Sequence, residues 1–116
     1  MSQPTRLEKT NRINLLFDFY EPLLTEKQQM FLKHYFHEDF SLGEIAAEFQ
    51  ISRQAVYEHI KRAEQALEVY EDKLGLLSKH ESRTRAMDQL KRTLEQSSLN
   101  DSDKQAAREW MNELMI

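Results

Sequence analysis

No cysteine occurs in the chain, so disulfides and thiolate metal sites are excluded. Glycine and proline number two each among 116 residues. That leaves few points at which a helix must break, so long helices are expected. Two glycines also cannot build a phosphate-cradling loop. Strand-like alternation is missing, and no apolar run approaches the length needed to cross a membrane. Near the N-terminus Arg6, Glu8 and Lys9 stand where a secretory signal would be apolar. A cytoplasmic protein without membrane association is expected. The acids are scattered over helix surfaces and no nucleophile elbow is found, so the expectation is no enzyme, no catalytic residue, no cofactor and no metal site.

What is present centres on residues 41–62. Ser41 is a good N-cap, and Glu44 three residues later completes a capping box. Ile45, Ala46 and Phe49 then share a face at helical spacing. Ile51 plugs a tight turn, Ser52 caps a second helix, and Val56 and Ile60 are its inward residues. Arg53, Gln54, Tyr57, Glu58 and Lys61 are left outward, on the face opposite Val56 and Ile60. This is the pattern of a helix-turn-helix, whose second helix can enter a major groove. The plainer reading is an αα corner, which needs the same caps and the same small residue at the crossing.

Around this corner about six helices are expected in a single domain, residues 1–116. Helix one spans Thr5–Tyr20, with Ile13, Phe17, Tyr20 and Leu24 at spacings of 4, 3 and 4, and Pro22 ends it. Thr25 and Gln28 form the cap of helix two, which carries Met30, Phe31, Leu32, Tyr35 and Phe36. Helix four runs from Arg53 to Gly75 without a breaker. Its inward seam is Val56, Ile60, Ala63, Leu67, Tyr70 and Leu74, longer than the corner needs. Residues 76–116 form a C-terminal helical extension. In it Ser78 and Glu81 predict a cap for a helix over about Lys79–Gln96, and Asp103–Leu114 a sixth helix. The tail Trp110–Ile116 is apolar and suits either protein contacts or packing on its own domain.

Charge bears on partners. The net charge is −4, which works against non-specific binding of nucleic acid, because phosphate contacts supply most of that affinity. Residues 25–50 hold two bases and five acids, a net −3, whereas residues 76–100 hold five bases and three acids, a net +2. The second helix of the corner, Ser52–Glu64, has three bases and two acids, a net +1. The basic set Arg83, Arg85, Lys91 and Arg92 could touch phosphate, although Asp88 and Glu95 interleave with it. His34 and His37, at i and i+3 beside Glu38, are spaced as metal ligands can be, but no third ligand accompanies them.

The segment Leu24–Leu67 resembles region 4 of bacterial sigma factors. The resemblance rests on Leu24-Thr25-Glu26-Lys27-Gln28, Phe40-Ser41-Leu42-Gly43-Glu44-Ile45-Ala46, Ile51-Ser52-Arg53-Gln54-Ala55-Val56 and Ile60-Lys61-Arg62-Ala63. The wider chain resembles the YlxM-like family of helix-turn-helix proteins, through Glu8-Lys9-Thr10-Asn11-Arg12, Leu16-Phe17-Asp18-Phe19-Tyr20 and Val69-Tyr70-Glu71-Asp72-Lys73-Leu74. These resemblances imply an all-α fold built on a sigma-region-4-like helix-turn-helix, unrelated to the winged-helix type. They also imply DNA binding and a part in the signal recognition particle pathway, because the family's gene lies beside those of the particle's protein subunit and receptor. Sigma region 4 usually has Gly where Gln50 stands, so Gln50 is expected at positive φ, at a cost of perhaps ~1 kcal/mol.

Two functional expectations follow. In one, a regulatory protein binds duplex DNA, with Arg53, Gln54, Tyr57 and Lys61 at base edges or backbone and Ser52 and Arg62 on phosphate. In the other, an accessory factor contacts the signal recognition particle's RNA or its protein subunit, which an acidic surface suits better. A-form RNA has a deep, narrow major groove that a helix reads poorly. The surplus seam must be buried either on helix one, which carries a matching seam, or on a second copy of the chain, and the expectation drawn from it is a homodimer formed by residues Leu67–Leu74 with helix one, five or six.

Overall fold

The structure, a computed structural model, describes residues 5–115, and every regular element among them is helical. The elements are α1 (Arg6–Tyr20), a 3-10 turn at Glu21–Leu23, α2 (Glu26–Leu32), a π turn at Lys33–His37, α3 (Leu42–Phe49), α4 (Arg53–Leu74), α5 (Leu76–Glu95) and α6 (Asp101–Leu114). None of these helices is long and apolar enough to cross a membrane. The chain divides into two compact units, residues 1–77 and 78–116.

Polar caps set the helix starts in the first unit. Thr5 and Glu8, Thr25 and Gln28, and Ser41 and Glu44 each exchange side chain to backbone hydrogen bonds in full capping boxes. Ser52 Oγ accepts from the Ala55 N–H at 3.0 Å and starts α4. Gln50 ends α3 in the left-handed region at φ 57°, and Gly75 ends α4 at φ 63°.

Two starts differ from expectation. α5 begins at Leu76, so Ser78 lies inside its first turn and is not its N-cap. The cap comes from side chains distant in sequence. Tyr20 Oη accepts from the Leu76 N–H at 3.0 Å, and Glu71 Oε1 accepts from the Leu77 N–H at 3.0 Å and from Tyr20 Oη at 2.6 Å. Burial and then the Glu71 carboxylate hold the Tyr20 phenol above its ordinary pKa. α6 begins at Asp101 because Asn100 Oδ1 caps it, accepting from the Asp103 N–H at 2.8 Å.

The core of the first unit is assembled round α4. Val56, Ile60, Ala63 and Leu67 are buried against Ile13, Leu16, Phe17 and Tyr20 of α1, Phe31 and Leu32 of α2, and Ile45 and Ala46 of α3. Leu67 is 0% exposed within its own chain, so it is core and cannot supply the dimer surface expected at Leu67–Leu74. Tyr70 packs 6.0 Å from the Tyr20 ring and donates to the Leu23 carbonyl at 3.1 Å. Leu74 alone of the seam is largely exposed, at 46%.

The π turn is a departure from simple helical periodicity. Glu38 N–H reaches the Lys33 carbonyl and Phe40 N–H the His34 carbonyl, both at 2.9 Å, and Asp39 takes φ 56°. This re-aims the paired histidines. His34 stacks on Phe40 at 5.0 Å and pairs with Glu38 at 2.8 Å, while His37 meets Phe17 edge-on at 5.1 Å. Among the described residues no group of three His, Cys, Asp or Glu side chains is arranged to hold a metal.

In the second unit the α5 stripe and α6 bury Met87, Leu94 and Met111, flanked by Ala107 and Met115. Arg108 Nε donates to Glu95 Oε1 at 2.7 Å, and Lys104 Nζ to the Glu95 carbonyl at 3.0 Å.

Two predictions come from this geometry. A left-handed Gln50 carries a Cβ cost that glycine lacks, so Gln50→Gly is expected to be neutral or stabilising by up to roughly 1 kcal/mol. Thermal melting checks this, and a clear loss of stability would show that the Gln50 side chain contributes more than its backbone costs. The second concerns His59, which lies flat on Phe31 at 4.8 Å. Burial first, then the Lys27 and Arg62 charges, hold its imidazole below the ordinary histidine pKa. The unfolded chain takes the proton near pH ~6.5 while the folded chain resists it, so stability is full above that pH and declines as pH falls below it. Urea midpoints measured on both sides of that pH should decline less in His59→Gln than in wild type. Equal declines would place the dependence elsewhere.

Candidate nucleic-acid interface

The corner itself is made by a left-handed residue between two capped helices. With Gln50 at φ 57°, the Ile51 N–H reaches the Ala46 carbonyl at 3.1 Å and Ile51 packs against the core. α3 then crosses α4 close to Ala46, which is buried.

The outward residues of α4 do not form one patch opposite the core. At 3.6 residues per turn, Arg53 sits about 60° round the helix from Val56 and Tyr57 about 100° from it, so both lie to one side of the outermost line. Gln54 and Glu58 hold that outermost line and are linked, Gln54 Nε2 donating to Glu58 Oε1 at 3.4 Å. Arg53 turns back over α3. Its guanidinium nitrogens lie 3.0 and 3.1 Å from the point where a Cβ on Gly43 would stand. Gly43 thus leaves room for the Arg53 head group across the first turn of α3. Ser52 uses its hydroxyl as the α4 cap.

Lys61 and Arg62 define two edges. On one, Lys61 Nζ lies 5.5 Å from the Tyr57 ring centroid and 3.4 Å from Glu64, and Lys9 of α1 reaches the same Glu64 oxygen at 3.5 Å. Glu64 is 9% exposed, and its carboxylate lies between the two lysines. The Lys61 ammonium beside it, together with burial, holds the Lys9 pKa below the usual lysine value. Arg6, Lys9, Tyr35, Tyr57 and Lys61 line a cavity of about 210 Å³ there, with Asp39 and Glu64 as its acids. On the other edge Arg62 shares a second cavity of about 210 Å³ with Lys27, Gln28 and His59, at the capped start of α2. The centre line is therefore polar to acidic, and the flanks are basic with aromatic faces.

Arg6, Lys9 and Lys27 belong to these flanks, yet nothing in the spacing of residues 41–62 points to them. They reach α4 only through the packing of α1 and α2. Charge on α1 next to the helix-turn-helix resemblance was the one available sequence signal. Ser52, Arg53, Gln54, Tyr57, Lys61 and Arg62 all lie on or beside the outer half of α4, but they are split between a turned-back arginine, a cap, a central line and two edges.

Comparison with known proteins gives the context. A family model described as "Putative helix-turn-helix protein, YlxM / p13 like" matches residues 7–108. The chain is 54% identical over 94 residues to the UPF0122 protein lin1916 of Listeria innocua, covering 81% of this chain and 86% of that one. It is 54% identical over 95 residues to the UPF0122 protein BH2485 of Halalkalibacterium halodurans, covering 82% and 87%. It is 55% identical over 100 residues to the UPF0122 protein BcerKBAB4_3669 of Bacillus mycoides, covering 85% and 91%. The family is described by its fold rather than by a reaction. On the match to both the family model and these relatives, the chain belongs to the YlxM / p13-like helix-turn-helix family.

Proposed function

We propose that this protein binds duplex DNA through α4 and acts in the cytoplasm as a homodimeric regulator in the signal recognition particle pathway, without catalysis. The observation that supports DNA binding is the arrangement round α4: a capped helix with Gln54 on its outermost line and Arg53 and Tyr57 to one side, bordered on that side by Lys61 with Arg6 and Lys9 and on the other by Arg62 with Lys27. A helix set in a major groove meets a phosphate strand on each side, and two basic edges with a polar centre match that geometry. Arg53 and Gln54 are the side-chain types that pair guanine and adenine, and Glu58 can accept from cytosine N4. The pathway is supported by the family resemblance alone.

A second reading has one observation in its favour. The net charge of −4 and the Glu58 carboxylate in mid-face weaken attraction to a polyanion. An accessory factor that contacts the signal recognition particle's RNA, or its protein subunit, would use the basic edges without placing α4 in a groove.

Binding to short duplexes, measured by fluorescence anisotropy over a range of salt starting low, separates the two. Arg53→Ala is expected to lose roughly 1–3 kcal/mol of binding and to relax preference at one base pair. Arg62→Ala is expected to weaken all sequences alike and to lower the salt slope by about one. Both residues are exposed, so neither change should move stability by more than about half a kcal/mol. Failure of wild type to bind any duplex at low salt, together with particle RNA binding that tolerates Arg53→Ala, would overturn the DNA reading.

A further inference from the structure

The second unit leaves an apolar face uncovered. Leu90, Leu94, Leu99, Trp110, Met111 and Leu114 line a groove of about 400 Å³. Of these Leu90 is 49% exposed, Leu99 48%, Trp110 66% and Leu114 76%. Four large apolar side chains, each about half or more in water and lining one groove, are more than a scatter of single surface residues and mark a contact surface. Trp is also the side chain most often found at the energetic centre of an interface.

The unit is also poorly provided with other means of holding itself together. It spans residues 78–116, and among its described residues the buried apolar ones are Met87, Leu94 and Met111. Units below about 40 residues usually need disulfides, metals or oligomerisation. The chain has no cysteine, and no group of three metal-ligating side chains stands among the described residues. Packing of this face on a further surface remains.

Charge identifies the occupant. α5 carries Lys79, Arg83, Arg85, Lys91 and Arg92 against Glu81, Asp88 and Glu95, a net +2. α6 carries Asp101, Asp103, Glu109 and Glu113 against Lys104 and Arg108, a net −2. Next to the groove, Lys91 and Glu95 follow Leu90 and Leu94 on α5, with the Glu95 carboxylate taken up by Arg108 of the same unit, while Glu109 and Glu113 precede Trp110 and Leu114 on α6. One edge of the apolar face is therefore basic and the other acidic. Two copies related by a two-fold axis lay α5 of one against α6 of the other, apolar face to apolar face and basic edge to acidic edge. Four helices then close a bundle, which is the ordinary way for a helical hairpin to bury a single apolar stripe.

The geometry points to a homodimer whose interface is this face of α5 and α6. It gives the dimer in the functional reading a definite surface, and it replaces the one expected at Leu67–Leu74. The inference does not need DNA binding, and its test contains no nucleic acid, so each can fail separately.

Trp110 is the only tryptophan, so its fluorescence reports on this face alone. Sedimentation of the intact chain over a wide micromolar range should show a reversible monomer–dimer equilibrium. Trp110 emission should shift to the blue, and acrylamide quenching should fall, over the same concentrations. Leu90→Glu and Leu114→Glu each alter an exposed residue and keep the tryptophan. Each should weaken the dimer roughly tenfold or more and leave the emission of a water-exposed indole, while helical signal from the first unit persists. A monomer at every concentration would overturn the inference, whether the indole is open to quencher, as for a face that takes a different protein, or shielded, as for a face covered within its own chain. A dimer that survives both substitutions would overturn it too, since it would use another surface.

Discussion

Everything in the first unit depends on one apolar stripe, Val56, Ile60, Ala63 and Leu67, being buried simultaneously by three other helices. Most of the stability of α4 comes from this burial, as for amphipathic helices in proteins generally. Removing about four side chains of this size from water is worth several kcal/mol, at roughly 1.5–3 kcal/mol for each large one. That burial also fixes which residues of α4 face outward. Because α1, α2 and α3 each take a share of the stripe, their own polar residues come to rest along its edges. Lys9 thereby meets Lys61 over Glu64, Lys27 comes beside Arg62, and Gly43 makes room for Arg53. The proposed interface is thus a by-product of core packing, and a change in the core would displace its charges together.

Local chemistry explains how far the sequence could be read. Caps are short-range devices, so Thr25, Ser41 and Ser52 were legible as helix starts, and Gly75 as a helix end. The left-handed turn at Gln50 was legible only through the sigma-factor resemblance, since nothing in Gln itself asks for positive φ. The start of α5 was not legible, because its cap is Tyr20 and Glu71, brought there by tertiary structure, and Ser78 with Glu81 offered a plausible local substitute. The π turn at Lys33–His37 was hidden for a related reason: an aromatic run fits α periodicity as well as it fits a bulged turn. Heptad-like spacing on α4 marked a seam but left open whether helix one or a second copy covers it, because spacing says that a face is buried and not by what; Leu67 is buried within its own chain, so the dimer expected there does not use it. For the site, residue types on α4 were readable, and their division between a centre and two edges was not.

The two units divide the labour in a way consistent with the proposed function. The first presents one helix, α4, which under the proposed function would meet a single half-site. The second has little core of its own and an apolar face with oppositely charged edges. Helix-turn-helix proteins that pair gain affinity by holding two such helices at a fixed spacing, so a hairpin that dimerises would convert a weak, acidic monomer into a two-site binder. On that reading the overall negative charge would suppress non-specific attachment and leave affinity to the cations round α4.

The central claim is that α4 and the cations packed along its edges are the surface that meets duplex DNA. The most direct test is backbone amide mapping by NMR as a short duplex is titrated into the protein at low salt. The account predicts shifts concentrated in residues 52–62, with secondary changes at Arg6, Lys9 and Lys27, and none along the α4 stripe beyond Leu67. Shifts that avoid residues 52–62 while the duplex binds elsewhere would contradict it.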